Sequence, residues 1–242
     1  ALMFVYYLIT RWKELGKING KEYIVKTIVT TETIKTIAER NGVEMYDVYT
    51  GFKWIANVMR ENEGKKNYIG GCVILAEIAA WAKDQGLSLY QLLQKIYVEY
   101  GFSKEKGISV VKKGKSGAEE IEAMMKKFRE NPLTEIAGSK VTYFYDYSTL
   151  KGKDYAENET VTLDMPTTSN VLQYFTEDNT KVSIRPSGTE PKIKFYCENR
   201  SCLFLFYQIK SDLLKQNGNK AVALGTRYAS SFPQRRTFIG LL

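Results

Sequence analysis

Leu2, Tyr6, Ile9 and Leu15, with the aromatics between them, form an apolar face at helical spacing over residues 1–16. Arg11, Lys13 and Glu14 fall opposite, and Gly16 with Asn19-Gly20 ends the pattern. Tyr23 to Thr30 is a short apolar run rich in β-branched residues, which predicts a buried strand. Thr30 or Thr31 can cap a helix over Glu32–Arg40, and Asn41-Gly42 offers a left-handed stop. Val43–Val48 reads as another strand. Phe52–Arg60 reads as a helix with Phe52, Ile55, Val58 and Met59 on one face. Strand, helix, strand, helix in this order predicts an α/β unit with a parallel sheet. Cys72–Gln85 continues it as an apolar helix, with Leu75, Ile78, Ala79 and Ala82 inward and Gly86 at its end. Ser88 caps one more helix over Leu89–Tyr100, stopped by Gly101.

The pattern then changes. Gly107–Lys112 is strand-like, and Ser116 begins an amphipathic helix through Ile121, Met124, Met125 and Phe128 to Asn131-Pro132. Short strands are expected at Lys140–Tyr147, Val171–Phe175, Lys181–Arg185 and Lys192–Tyr196. One helix followed by antiparallel strands is an α+β unit, so a domain boundary is expected near Ser103.

The 242 residues are 44% hydrophobic and 26% charged, which suits a globular chain and excludes disordered and fibrous classes. The apolar run Ala1–Thr10 is cut by Arg11, too short to span a bilayer, and lacks a signal-peptide pattern, so cytoplasm is the expected location. Histidine is absent, which removes Ser-His-Asp and Cys-His mechanisms and His-ligated metals. Cys72, Cys197 and Cys202 contain no CxxC pair and make neither a disulfide framework nor a zinc knuckle. The net charge is +8, but it is uneven. In Ser201–Leu242 six basic residues meet one acidic residue, Asp212, so this segment carries five of the excess charges and the first 200 residues only three. A body so near neutrality is no footprint for nucleic acid.

Lys181–Tyr196 reads KVSIRPSGTEPKIKFY, two alternating segments around a tight loop. The loop suits a phosphate dianion. Gly188 permits close backbone approach and a positive φ, so that successive N–H groups can form a concave nest. Ser187 and Thr189 add hydroxyls, and the planar fork of Arg185 matches phosphate oxygens. Pro186 and Pro191 stiffen the loop and lower the ordering cost of binding. A Pro/Gly hairpin with a solvated arginine is the alternative these residues leave open.

RPSGTEPKIKFY resembles the phosphate-binding loop in the last domain of the α-D-phosphohexomutases, the phosphoglucomutases and phosphomannomutases. Tyr23–Ala38, Tyr46–Ile55 and Lys115–Arg129 are similar to stretches in the same order in the bacterial branch of this family. The resemblance covers residues 1–200 and implies part of the third domain over 1–103 and the fourth over 104–200. It implies that Arg185, Ser187, Gly188 and Thr189 hold the phosphate that is not transferred, with Lys194 as a second charge. Thr50 and Gly51 match a turn that lies against the sugar. The implied reaction interconverts hexose 1-phosphate and hexose 6-phosphate through an enzyme phosphoserine. Magnesium and glucose 1,6-bisphosphate are implied as cofactor and intermediate, hexose phosphate as the partner, with no nucleic acid and no membrane.

The sequence departs from that family in four ways. It has neither the histidine-bearing serine loop nor an Asp-x-Asp metal run. Gly71 runs straight into Cys72, where the family's sugar-binding loop belongs, and this reads as a loop deletion at 71/72. Residues 201–242 form an atypical basic tail that takes no assignment. The chain alone is therefore expected to be inactive, a sugar-phosphate-binding fragment being the alternative and a nucleic-acid binder a remoter one. Residues 1–100 are expected to dissolve poorly or self-associate, because a truncated third domain exposes sheet edge and apolar surface. Gly114-Lys115-Ser116 imitates a P-loop, but Ser109 stands where its first glycine is needed. Glu119 and Glu120 are adjacent on a helix and point apart. Asn158-Glu159-Thr160 and Asn199-Arg200-Ser201 match glycosylation sequons, idle in a cytoplasmic protein.

Overall fold

Tyr23 pairs with Glu44, and the register then runs in parallel to Thr27 opposite Val48. These strands, β1 (Glu22–Thr27) and β2 (Glu44–Val48), belong to a computed structural model that describes residues 1–69, 75–112 and 114–200. Over the described residues the chain divides into two compact units, residues 1–103 and residues 104–200. The expected loop deletion at Gly71/Cys72, the first turn of the helix placed at Cys72, and the tail 201–242 lie outside the described residues.

In the first unit α1 (Leu2–Glu14) precedes β1, and α2 (Thr33–Arg40) joins β1 to β2. Then follow α3 (Phe52–Glu61), β3 (Asn67–Tyr68), α4 (Leu75–Asp84) and α5 (Leu89–Tyr100). The sheet is parallel in the order β2-β1-β3. Its core joins Tyr6, Tyr7 and Ile9 of α1 to Ile24, to Ile34 and Ile37 of α2, to Ile78 and to Leu92 and Ile96 of α5. Local signals set the helix ends. Ser88 accepts the Gln91 N–H while the Gln91 side chain accepts the Ser88 N–H, a capping box that starts α5. Gly42, at φ 66°, lets Val43 N–H turn back to Ala38 C=O and ends α2. The run expected to be strand as far as Thr30 stops at Thr27, because Thr30 N–H turns back to Thr27 C=O. By contrast α3 buries none of its residues, and Phe52 is 75% exposed.

Two buried acids and bases brace this sheet. Glu22, 1% exposed, accepts the N–H groups of Asn19 and Gly20 and the side-chain amide of Asn67, tying the turn before β1 to the start of β3. Lys26 Nζ lies 2.6 Å from Asp47 and 3.1 Å from Glu32. Burial opposes the charge on Lys26, yet the two carboxylates outweigh it and hold the ammonium above its ordinary range.

The second unit begins with β4 (Lys104–Val111) and α6 (Gly114–Glu130). Seven strands follow: β5 (Glu135–Ile136), β6 (Ser139–Asp146), β7 (Lys151–Asp154), β8 (Glu159–Thr162), β9 (Leu172–Thr176), β10 (Thr180–Pro186) and β11 (Lys192–Asn199). They form an antiparallel sheet in the order β4-β11-β10-β9-β6-β7-β8, with β5 on β6. Ile121 and Met125 of α6 pack with Leu172, Tyr174, Val182, Ile184, Ile193 and Phe195. Strand alternation puts residues 173, 183, 185, 194 and 196 on the opposite face. There Tyr147 donates to Gln173, and Gln173 donates to Ser183, a buried polar row. Lys181 and Glu198 add a buried ion pair at 3.4 Å. The parallel sheet with helices, followed by an antiparallel sheet with helices, is the predicted fold class.

The β7–β8 hairpin carried no sequence signal. Its strands are polar, KGKD and ETVT, so no apolar alternation marks them, and backbone pairing alone sets their register.

Candidate phosphate-binding site

The RPSGTEP loop is the connection from β10 to β11, an antiparallel pair whose register sets Arg185 opposite Lys194 and Pro186 opposite Ile193. Ile184 and Phe195 anchor the pair in the core. Their neighbours Arg185 and Lys194 therefore project to the other face, both half-buried. Ser187 N–H donates to Lys192 C=O at 2.7 Å, and Lys192 N–H donates to Glu190 C=O at 2.7 Å. Lys112 N–H, beyond β4, donates to Pro191 C=O at 2.9 Å. The base of the loop is thus tied at three points while Gly188, Thr189 and Glu190 stand exposed.

One expectation needs correction. Gly188 does not adopt a positive φ, and no atom lies within 4 Å of a Cβ built on it. Ser187 N–H is turned onto Lys192 C=O, and Thr189 N–H points to Ser187 Oγ at 3.4 Å. The hairpin consumes these donors in closing, so a nest of successive N–H groups is not formed. What glycine supplies at 188 is a bare, exposed backbone rather than left-handed geometry.

The side chains carry the charge. Among the described residues no acceptor holds the Arg185 guanidinium. Lys192 Nζ forms an ion pair with the Glu190 carboxylate. That contact, with Lys194 adding its field, holds the Glu190 carboxyl below the ordinary range. The Glu190–Lys192 pair was not anticipated from sequence; the Glu-Pro-Lys spacing across the turn is its only mark.

Thr50 and Gly51 lie in the first unit, directly after β2, at the carboxyl end of a parallel strand. Ligands of open α/β sheets gather at such ends. Gly51, at φ 139°, opens α3, and Thr50 Oγ1 is buried with no hydrogen-bond partner among the described residues. Tyr49 and Trp54 meet edge to face at 5.7 Å and frame this turn.

The other candidates dissolve into structure. Glu120 pairs with Lys112 at 2.9 Å on an exposed face. Asn158 occupies the β7–β8 turn at φ 56°. Among the described residues, no three His, Cys, Asp or Glu side chains gather to hold a metal ion. Those described residues therefore offer no donor set for magnesium. No helix among them is long and apolar enough to cross a membrane.

Comparison with known proteins is consistent along the chain. Residues 3–72 match the phosphoglucomutase/phosphomannomutase alpha/beta/alpha domain III, and residues 109–201 match the C-terminal domain of the same enzymes. A phosphoglucomutase of Staphylococcus saprophyticus is 29% identical over 209 residues, which cover 77% of this chain and 38% of that protein. A phosphoglucomutase of Staphylococcus aureus is 31% identical over 194 residues, covering 72% and 35%. Among solved structures, the parafusin (phosphoglucomutase) of Paramecium aligns over 92% of this chain and 43% of its own, at 15% identity and a TM-score of 0.49. The chain thus spans under two fifths of the curated relatives it matches. With these two matches, to domain III over residues 3–72 and to the C-terminal domain over residues 109–201, the chain belongs to the phosphoglucomutase/phosphomannomutase family.

Proposed function

We propose that this chain supplies the distal phosphate clamp of a hexose-phosphate mutase. Arg185 takes two phosphate oxygens through its fork, and Lys194 adds a second charge from the facing strand. Ser187 and Thr189 donate hydroxyls, and Gly188 leaves its N–H open to a third oxygen. In the first unit, Thr50 and Gly51 form the turn that the family resemblance assigns to the sugar. The observation that carries the reading is the Arg185 guanidinium, without an acceptor among the described residues, beside a tied turn whose Gly188 and Thr189 stand exposed.

The reaction moves a phosphoryl group between the 1- and 6-positions of a hexose phosphate. It needs a nucleophile, a counter-charge and clamps on both sugar ends. The clamp gives position: it holds the phosphate that stays, so that the other end meets the nucleophile. The 242 residues hold no histidine and no Asp-x-Asp run, so serine and metal chemistry must come from elsewhere. This chain alone does not turn over. A coupled mutase assay of the isolated chain, with glucose 1,6-bisphosphate supplied, checks this: hexose interconversion above background would refute it.

A further inference from the structure

Three cations, Arg185, Lys192 and Lys194, share one face of the sheet at the base of the loop. Residues 192 and 194 alternate onto one face of β11, and the register sets Lys194 opposite Arg185 on β10. One carboxylate enters the group, Glu190, and it sits on Lys192. The side chain of Lys192 is 22% exposed and that of Glu190 is 59% exposed, so the acid is the wet and movable half of the pair. Three cations and one carboxylate leave an excess of two positive charges. A phosphate monoester above its second pKa of about 6 carries two negative ones.

Resting on the phosphate reading of this loop, we propose that Glu190 is a resident counter-ion that occupies Lys192 and sets the empty clamp two charges positive, matched to a phosphate monoester dianion. Glu190 is a positioning residue under this account, acting through Lys192. Its carboxylate repels an incoming dianion, and its contact keeps Lys192 from adding a third cation to the bound phosphate. Affinity is thereby held below what three free cations would give, which suits a clamp that must release one end of its ligand. The backbone ties from Ser187 to Lys192 and from Lys192 to Glu190 do not depend on the carboxylate, so its neutralisation leaves the loop closed.

Calorimetric titration of the full chain with inorganic phosphate at pH 8 tests this. Glu190→Gln is expected to tighten binding by about threefold to tenfold, because Lys192 becomes available. Adding Lys192→Gln to that variant is expected to restore the original affinity. Unchanged or weaker binding in Glu190→Gln overturns the counter-ion and makes Glu190 a clasp that shapes the loop. Tighter binding that survives in the double variant also overturns it, since Lys192 would not be the group released. Arg185→Ala separates the two levels. If it leaves binding intact, the phosphate reading fails and the counter-ion falls with it; if it abolishes binding, a failure at Glu190 is a failure of the counter-ion alone.

Discussion

Arg185 and Lys194 stand directly opposite each other on antiparallel strands, two cations facing across one ladder position. Like charges so placed destabilise a sheet. Under the proposed phosphate reading, this repulsion belongs to the empty state and a bound anion relieves it. Lys194→Met should therefore raise the melting temperature of the ligand-free chain and shrink the rise that phosphate produces. Phosphate at a hundred times its Kd should add about 2.7 kcal/mol to the original chain. Differential scanning fluorimetry with and without phosphate reads both effects, and equal phosphate shifts in the two proteins would count against the site.

Acid and alkali should attack the first unit through different residues. Burial works to raise the Glu22 carboxyl, but its hydrogen bonds from Asn67, Asn19 and Gly20 outweigh that and hold it below 4.5. Its contribution is complete above pH 4.5 and is lost as pH falls through the lowered value. Lys26 is raised above 10.5 by Asp47 and Glu32 against burial, so its contribution is complete below that pH and is lost as pH rises further. Glu22→Gln should flatten the acid limb of the stability profile and leave the alkaline limb unchanged. Lys26→Met should flatten the alkaline limb and cost about 2 kcal/mol at neutral pH, since both carboxylates keep some water. Urea unfolding across pH, followed by tryptophan fluorescence, checks the pair.

Gly152 is needed for space. A Cβ built there would lie 2.4 Å from Cδ1 of Tyr145 and 3.1 Å from the Phe144 carbonyl oxygen. The ring belongs to Tyr145, directly opposite on the neighbouring strand and packed against Phe175, so its near edge must shift to admit a methyl group. Gly152→Ala should cost about 1–3 kcal/mol, and Tyr145→Ala in the same chain should recover part of it. A melting temperature unaffected by Gly152→Ala would contradict this packing.

The exposed face of α3 predicts self-association. Phe52 is 75% exposed and the helix has no buried residue, although Phe52, Trp54, Ile55, Val58 and Met59 are all apolar. Phe52 stands out in water while Trp54, Ile55, Val58 and Met59 are only partly covered, and apolar surface left in water drives association. Sedimentation velocity should show species that grow with concentration, and Phe52→Glu should shift the distribution toward monomer. A monomer at every concentration would remove the prediction.

Much of this fold was legible because its signals are local. The bounds Leu89–Tyr100 follow from Ser88, Gln91 and Gly101, which act within one turn of the helix ends. The core strands Leu172–Thr176 and Thr180–Pro186 show in their apolar alternation, since one face meets α6. Residues 151–162 were silent because Lys151, Gly152, Lys153 and Asp154 pair by backbone with little burial to mark them. At the candidate site, Arg185, Ser187 and Thr189 suggest phosphate chemistry, as proposed, because they crowd into one turn. The conformation of Gly188 was not legible, since which donors close a hairpin depends on the partner strand. Glu190 and Lys192 escaped notice for the same reason: two residues apart in sequence, they meet only because the chain folds back between them.

The most direct test is a titration of the full chain with glucose 6-phosphate, in the original protein and in Arg185→Ala. The account predicts saturable one-to-one binding that weakens about tenfold to a hundredfold when the guanidinium is removed. No saturable binding, or equal affinity in the two proteins, would contradict the phosphate clamp.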